Sequence, residues 1–168
     1  VSSDHAPYRF DETGKLAAGP APAFPRIANG LPGLETRMLL LFDAMVSRGR
    51  LGLARFVELT ATAPARLYGL ATKGRIAPGM DADLVVWDPE ASRTFGADDL
   101  HDNVGYNPWE GRTIRGLPER VILRGREIVG PQGFAGEPGQ GRWLDRTAPG
   151  IAPRGRPAPE IAAIGGGA

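Results

Sequence analysis

Cysteine is absent from the 168 residues, so a disulfide framework, a thiol nucleophile and a cysteine metal site are all excluded. Histidine is nearly absent: His5 and His101 are the only two. Lysine is equally scarce, because Lys15 and Lys73 are the only lysines among 20 basic residues. A formal net charge of +1 gives no basic stripe for nucleic acid, since the arginines are scattered among Asp and Glu. No apolar run approaches the ~20 residues that span a bilayer, and the first residues lack the shape of a signal peptide. The expectation is a globular, cytoplasmic protein without a nucleic-acid or membrane partner.

What is abundant is Gly and Pro, with 24 and 16 residues respectively. They crowd residues 130–168, and much of this stretch reads as an extended or disordered tail. Residues 5–33 hold five prolines and no hydrophobic period, which describes a long loop of the kind that often carries function. Leu34, Met38, Leu41, Phe42 and Met45 then recur at helical spacing, and Gly49 ends the run. A second helix is expected over 53–60. A third is expected in "APARLYGL", with Pro64 in its first turn, Leu67 and Tyr68 buried and Gly69 as a left-handed stop. "DLVVWD" reads as a strand halted by Pro89, and "SRTFG" as a short partner. "GRTIRG" and "RVILRGREIV" predict three more strands, the last two forming a hairpin around Arg124 and Gly125.

Few residues could carry chemistry. Asp4 sits at the end of a short β-tolerant run with an irregular loop after it, which is where a (β/α) barrel places its catalytic groups. A solvated turn explains Asp4 equally simply, and by itself the dipeptide Asp4-His5 favours that plainer reading. His101 reads as a surface residue. Asp81 and Asp83 suit turn chemistry, in which carboxylates take nearby backbone N–H groups, better than a metal site. Glu35 fits a first helical turn. Asn29-Gly30 fits a tight turn, and also fits a turn whose exposed backbone grips an amide-containing ligand. Trp87, Trp109 and Trp143 read as packing residues. No full set of nucleophile, base and orienter emerges from these residues.

Four stretches in order carry a resemblance: "SDHAPYRF", "IANGLPGLETRM", "GRIAPGMDADLVVWDP" and "NPWEGRTIRGLPERVILRGREIV". Together they resemble the C-terminal part of the cyclic amidohydrolases, in the dihydropyrimidinase/D-hydantoinase branch. The resemblance covers roughly residues 1–146. It implies an α/β fold: the last strand and closing helices of a (β/α)8 TIM barrel over 1–72, part of a small β-sandwich over 73–130, and the tail over 131–168. Residues 1–3 would end the eighth strand.

The resemblance also implies a reaction and roles. The family opens cyclic amide rings of dihydropyrimidines or hydantoins, as in conversion of 5,6-dihydrouracil to N-carbamoyl-β-alanine. Two divalent metal ions, zinc as a rule, share a hydroxide and are bridged by a carboxylated lysine. Asp4 would be a metal ligand and proton shuttle, and Asn29 would bind the cyclic ureide through its backbone. The other ligands have no counterpart here, so the chain reads as a fragment, inactive in isolation, of a homodimeric or homotetrameric enzyme. The loop over 9–26 would border the pocket. Allantoinase and dihydroorotase are the alternatives, but a dihydroorotase would place a basic residue where Tyr8 stands. A non-catalytic scaffold relative would have lost the strand-end aspartate, which Asp4 retains.

Overall fold

A computed structural model describes residues 1–149. Irregular chain fills residues 1–36, apart from one 3-10 turn at Phe24–Arg26. Helical segments α1 (Arg37–Phe42), α2 (Leu53–Val57) and α3 (Ala63–Leu67) follow. An antiparallel sheet of order β1-β2-β3-β4 closes the described chain, with β1 Leu84–Thr94, β2 Thr113–Leu123, β3 Arg126–Gly130 and β4 Gly133–Phe134.

The helices differ from expectation in two ways. Each of α1 and α2 widens into a π turn, Asp43–Ser47 and Glu58–Thr62. The second π turn runs directly into α3, and Thr62 and Ala63 both keep right-handed helical backbone. The expected second and third helices are therefore one continuous helical stretch. Pro64 has no N–H to donate to the preceding turn, and the π turn sits where that donor is missing. Gly69 does stop the stretch with φ +67, but Leu67 and Tyr68 are about half exposed rather than buried. Leu34 is likewise exposed and precedes α1.

The strands are longer and fewer than the sequence suggests. Pro89 does not stop β1. The ladder with β2 breaks register between Asp88 and Ser92 and resumes at Ser92↔Arg115, so "DLVVWD" and "SRT" belong to one strand. Asp88 Oδ1 accepts the N–H groups of Glu90 and Ala91 across this irregularity. Pro118 is absorbed beside a second shift, between Val86 and Trp87, which also merges "GRTIRG" with "RVIL". Bulges let a strand tolerate a missing donor. The hairpin turn falls at Arg124-Gly125 as expected, with both residues at positive φ (+49 and +80) in the geometry of a two-residue primed turn. Gly133–Phe134 adds a strand where only extended tail is expected, and Thr147 donates its N–H to the Gly69 carbonyl at 2.9 Å. The tail residues beyond 149 lie outside the described residues.

The core lies where helices meet sheet. Phe42, Met45 and Phe56 are buried together, and Trp87 of β1 packs onto them. A Cβ at Gly116 of β2 would run into the Phe42 ring, so this glycine is what lets the ring lie against the strand. Asp43, 2% exposed, joins the two layers: its Oδ1 accepts the Arg115 N–H at 3.1 Å and its Oδ2 accepts Arg48 Nε at 2.8 Å. Trp143 is 87% exposed and is not a packing residue, because the 141–149 stretch does not fold over it.

Candidate active site

Residues 1–3 form no strand. The only ladder-type contact of the N-terminal stretch is a single parallel bridge, His5↔Leu31, because no neighbouring strand lies beside it among the described residues. That bridge nevertheless fixes the site. Ala6 donates its N–H to Leu31 O at 3.1 Å, and His5 Nδ1 accepts the N–H groups of Gly33 and Leu34 at 3.0 and 3.2 Å. His5 thus turns away from any ligand role at Nδ1 and holds the entry to α1. Gly30 at φ +128 lies so close to Ala6 that a Cβ would collide with the Ala6 Cβ.

Asp4, immediately before this latch, has φ +49. Aspartate enters that left-handed region more readily than most residues, yet the conformation is uncommon and is found more often at functional positions. Its carboxylate is exposed. Asp4 and Asn29 both line one groove of about 450 Å³, whose walls include Pro32, Thr36, Leu40 and Trp109. The two residues that sequence reasoning singled out are therefore brought to one concavity, lined by both polar and apolar side chains. The groove does not include the 9–26 loop, which was expected to border it.

That loop contributes in another way. Asp11 Oδ1 accepts both the N–H and the hydroxyl of Thr13, and Lys15 donates its N–H to Arg9 O at 2.8 Å. The compact turn sends the Lys15 side chain inward, where the residue is only 9% exposed. Its ammonium donates to Ala28 O at 2.6 Å and to Gly30 O, the carbonyls on either side of Asn29. The Tyr8 ring lies 5.7 Å from the same ammonium. Asn29 is therefore not in a tight turn but in a stretch tied down from below. Nothing in the sequence pointed to Lys15, which stands in a segment without hydrophobic period.

The other candidates have structural work. Glu35 lies before α1 rather than in its first turn, and its carboxylate takes the His101 backbone N–H at 2.9 Å and pairs with His101 Nδ1 at 2.8 Å. Asp81 and Asp83 both face Lys73, and Asp83 also accepts the Arg124 N–H at the β2–β3 turn. Burial works against the Lys73 charge, but the hydrogen bonds it donates to Asp83 and Asp81, together with their negative charges, outweigh it and hold its pKa above the ordinary lysine value.

The profile of the amidohydrolase family matches residues 2–128. The chain belongs to the amidohydrolase family. A D-phenylhydantoinase of Escherichia coli O1:K1 is 45% identical over 147 residues, covering 87% of this chain and 31% of that protein. Among solved structures, a D-hydantoinase from Bacillus sp. AR9 superposes with a TM-score of 0.78 at 39% identity, over 88% of this chain and 32% of that one. A dihydropyrimidinase from Brevibacillus agri NCHU1002 gives 0.80 at 40% identity, over 91% and 32%. This amidohydrolase chain thus spans about a third of the length of its relatives. Membership carries the barrel-containing fold of the family, of which the described residues hold helices and a four-stranded antiparallel sheet.

Proposed function

We propose that this chain acts as the C-terminal portion of a hydrolase that opens cyclic ureide rings, dihydropyrimidines or hydantoins. The observation that carries the reading is the meeting of Asp4 and Asn29 on one groove, in a chain 45% identical to a D-phenylhydantoinase. Residues 1–72 would close the barrel, 73–130 would supply part of a sandwich, and 131–168 would run on as tail. The enzyme would be a cytoplasmic homodimer or homotetramer.

The chemistry asks two things of these residues. Water adds to the ring carbonyl carbon, and the ring C–N bond breaks. Asp4 suits the proton traffic: its carboxylate takes the proton from the attacking water and hands it to the departing ring nitrogen. The products are a carboxylic acid and a terminal ureido NH2 group. Asn29 offers its backbone groups to the ureide, which has alternating N–H and C=O groups of its own. Holding the ring there brings the scissile carbonyl toward Asp4, a gain in proximity rather than in bond-making.

Two bridged divalent ions, zinc with a carboxylated lysine, belong to the wider family picture. The described residues alone do not fit that group. No cluster of three His, Cys, Asp or Glu side chains exists among them, and both lysines are committed, Lys15 to carbonyls and Lys73 to Asp81 and Asp83. Any such centre would draw its remaining ligands from outside this chain, and Asp4 is its one contributor here.

The test is ring opening of hydantoin and 5,6-dihydrouracil by the complete enzyme, with Asp4→Asn beside it. The substitution keeps the side-chain shape and removes the proton acceptor, so the rate should fall by about 10²-fold or more. Unchanged turnover in Asp4→Asn would remove Asp4 from the reaction.

A further inference from the structure

We propose that Lys15 is a positioning residue that sets the Asn29 segment for substrate, an inference that rests on the hydrolase reading above. A buried ammonium is costly unless its donors are used. Here the structure uses them on the two carbonyls flanking Asn29, Ala28 O and Gly30 O, with the Tyr8 ring close to the ammonium. The Asn29 carbonyl is not among the acceptors. Lys15 therefore fixes the residues before and after Asn29 and leaves the Asn29 groups to the groove.

The clamp has a second jaw. Gly30 is pressed against Ala6, and Ala6 donates to Leu31 O, so the far side of the segment is fixed to the residues that follow Asp4. The Lys15 ammonium and the Ala6 contact together define where Asn29 stands relative to Asp4. Among the described residues no carboxylate lies within ion-pair distance of Lys15, which distinguishes it from Lys73 and its two aspartates. Its charge is spent on backbone carbonyls instead. Carbonyl acceptors suit a part that must define backbone position, because they are set by the chain and cannot swing away as a carboxylate side chain can.

Two variants of the complete enzyme test this. Lys15→Met keeps the length and apolar stem of the side chain and removes every donor. Lys15→Arg keeps the charge and the donors. Two readouts are taken together: steady-state kinetics on hydantoin, and backbone amide hydrogen exchange over 28–31 against the rest of the chain. In Lys15→Met, kcat/KM should fall about tenfold, carried mainly by KM, with kcat within about twofold. Exchange should quicken at 28–31 and stay at the parental rate in α1 and in the sheet. Lys15→Arg should recover much of the KM.

Parental KM in Lys15→Met, or parental exchange at 28–31, would overturn the proposal. So would a general rise in exchange throughout the chain, because that marks a merely structural lysine. If the parent enzyme opens neither ring, the hydrolase reading fails on its own. The exchange experiment still decides whether Lys15 clamps the segment.

Discussion

Phe42 lies flat on Trp87, with ring centroids 4.2 Å apart and planes 6° from parallel. Phe56 meets both rings edge-on, at 5.3 Å from Phe42 and 5.8 Å from Trp87. Helix α1, helix α2 and strand β1 are thus joined through three aromatic side chains. Phe42→Ala removes one ring of this three-way contact and leaves a cavity between helix and sheet. The expected loss of stability is about 3–5 kcal/mol, read as a lower denaturant midpoint with little change in slope.

Gly116 is the other half of that arrangement. Its φ is +87, and a Cβ there would enter the Phe42 ring. Gly116→Ala adds one methyl group and should still cost more than about 1 kcal/mol, since backbone strain and collision act together. The double variant Gly116→Ala with Phe42→Ala should lose less than the sum of the two. The added methyl then points into space that the ring vacated. A thermal or chemical denaturation cycle over the four proteins measures the difference.

Asp43 tests the seam between helices and sheet by a different route. Asp43→Ala strips acceptors from the Arg115 N–H and from Arg48, and should cost about 1–3 kcal/mol. Asp43→Asn keeps one oxygen for the Arg115 N–H and should cost less. Equal losses in the two variants would show that the charge on Arg48, and not the backbone bond, carries the effect.

The ends of these elements were legible in the sequence where glycine or a turn pair marks them. Gly49 and Gly69 both take positive φ at the helix ends, and Arg124-Gly125 turns the hairpin. What was not legible depends on partners far along the chain. Pro89 read as a strand breaker and the residues either side of Pro118 as separate strands, yet register shifts in the β1–β2 ladder absorb both prolines. Glu35 read as a helix-dipole residue, while its partner His101 lies 66 positions away. Asp4 and Asn29 were named from the sequence, and the groove they share is a tertiary fact. Lys15 was invisible, because a lysine in a loop gives no periodic signal and its burial depends on the Asp11–Thr13 turn.

Acid should loosen the junction between α3 and β1. The Thr72 hydroxyl and then the Lys73 ammonium hold the Asp81 carboxyl below its ordinary aspartate value. A carboxyl lowered on folding lends stability that is complete above its unfolded value and is lost as pH falls through the folded one. Lys73, held above its ordinary value, behaves oppositely: its contribution is present below the unfolded lysine value and disappears as pH rises through the folded one. Melting temperature against pH should therefore fall on both flanks. Asp81→Asn should flatten the acid flank without abolishing it, since Asp99 is lowered as well, by the Gly96 N–H and then by Arg93. An acid flank of parental steepness in Asp81→Asn would mean that other carboxyls govern it.

Gly30 offers the sharpest separation of site geometry from overall stability. Its φ of +128 suits glycine alone, and a Cβ there would meet the Ala6 Cβ and, at 2.7 Å, the Ala6 carbonyl oxygen. These are backbone and short side-chain atoms, so neither neighbour can swing aside. Gly30→Ala must push the 28–31 segment away from the residues that follow Asp4. The core aromatics are untouched by that movement. The melting transition should therefore shift by only a few degrees, while misplacement of Asn29 by about 1 Å should lower kcat/KM on a cyclic ureide by up to about 10²-fold. Combined with Lys15→Met, the kinetic losses should fall short of multiplying, because both changes act on one segment. Fully multiplicative losses would show that the ammonium and the Ala6 contact position Asn29 independently.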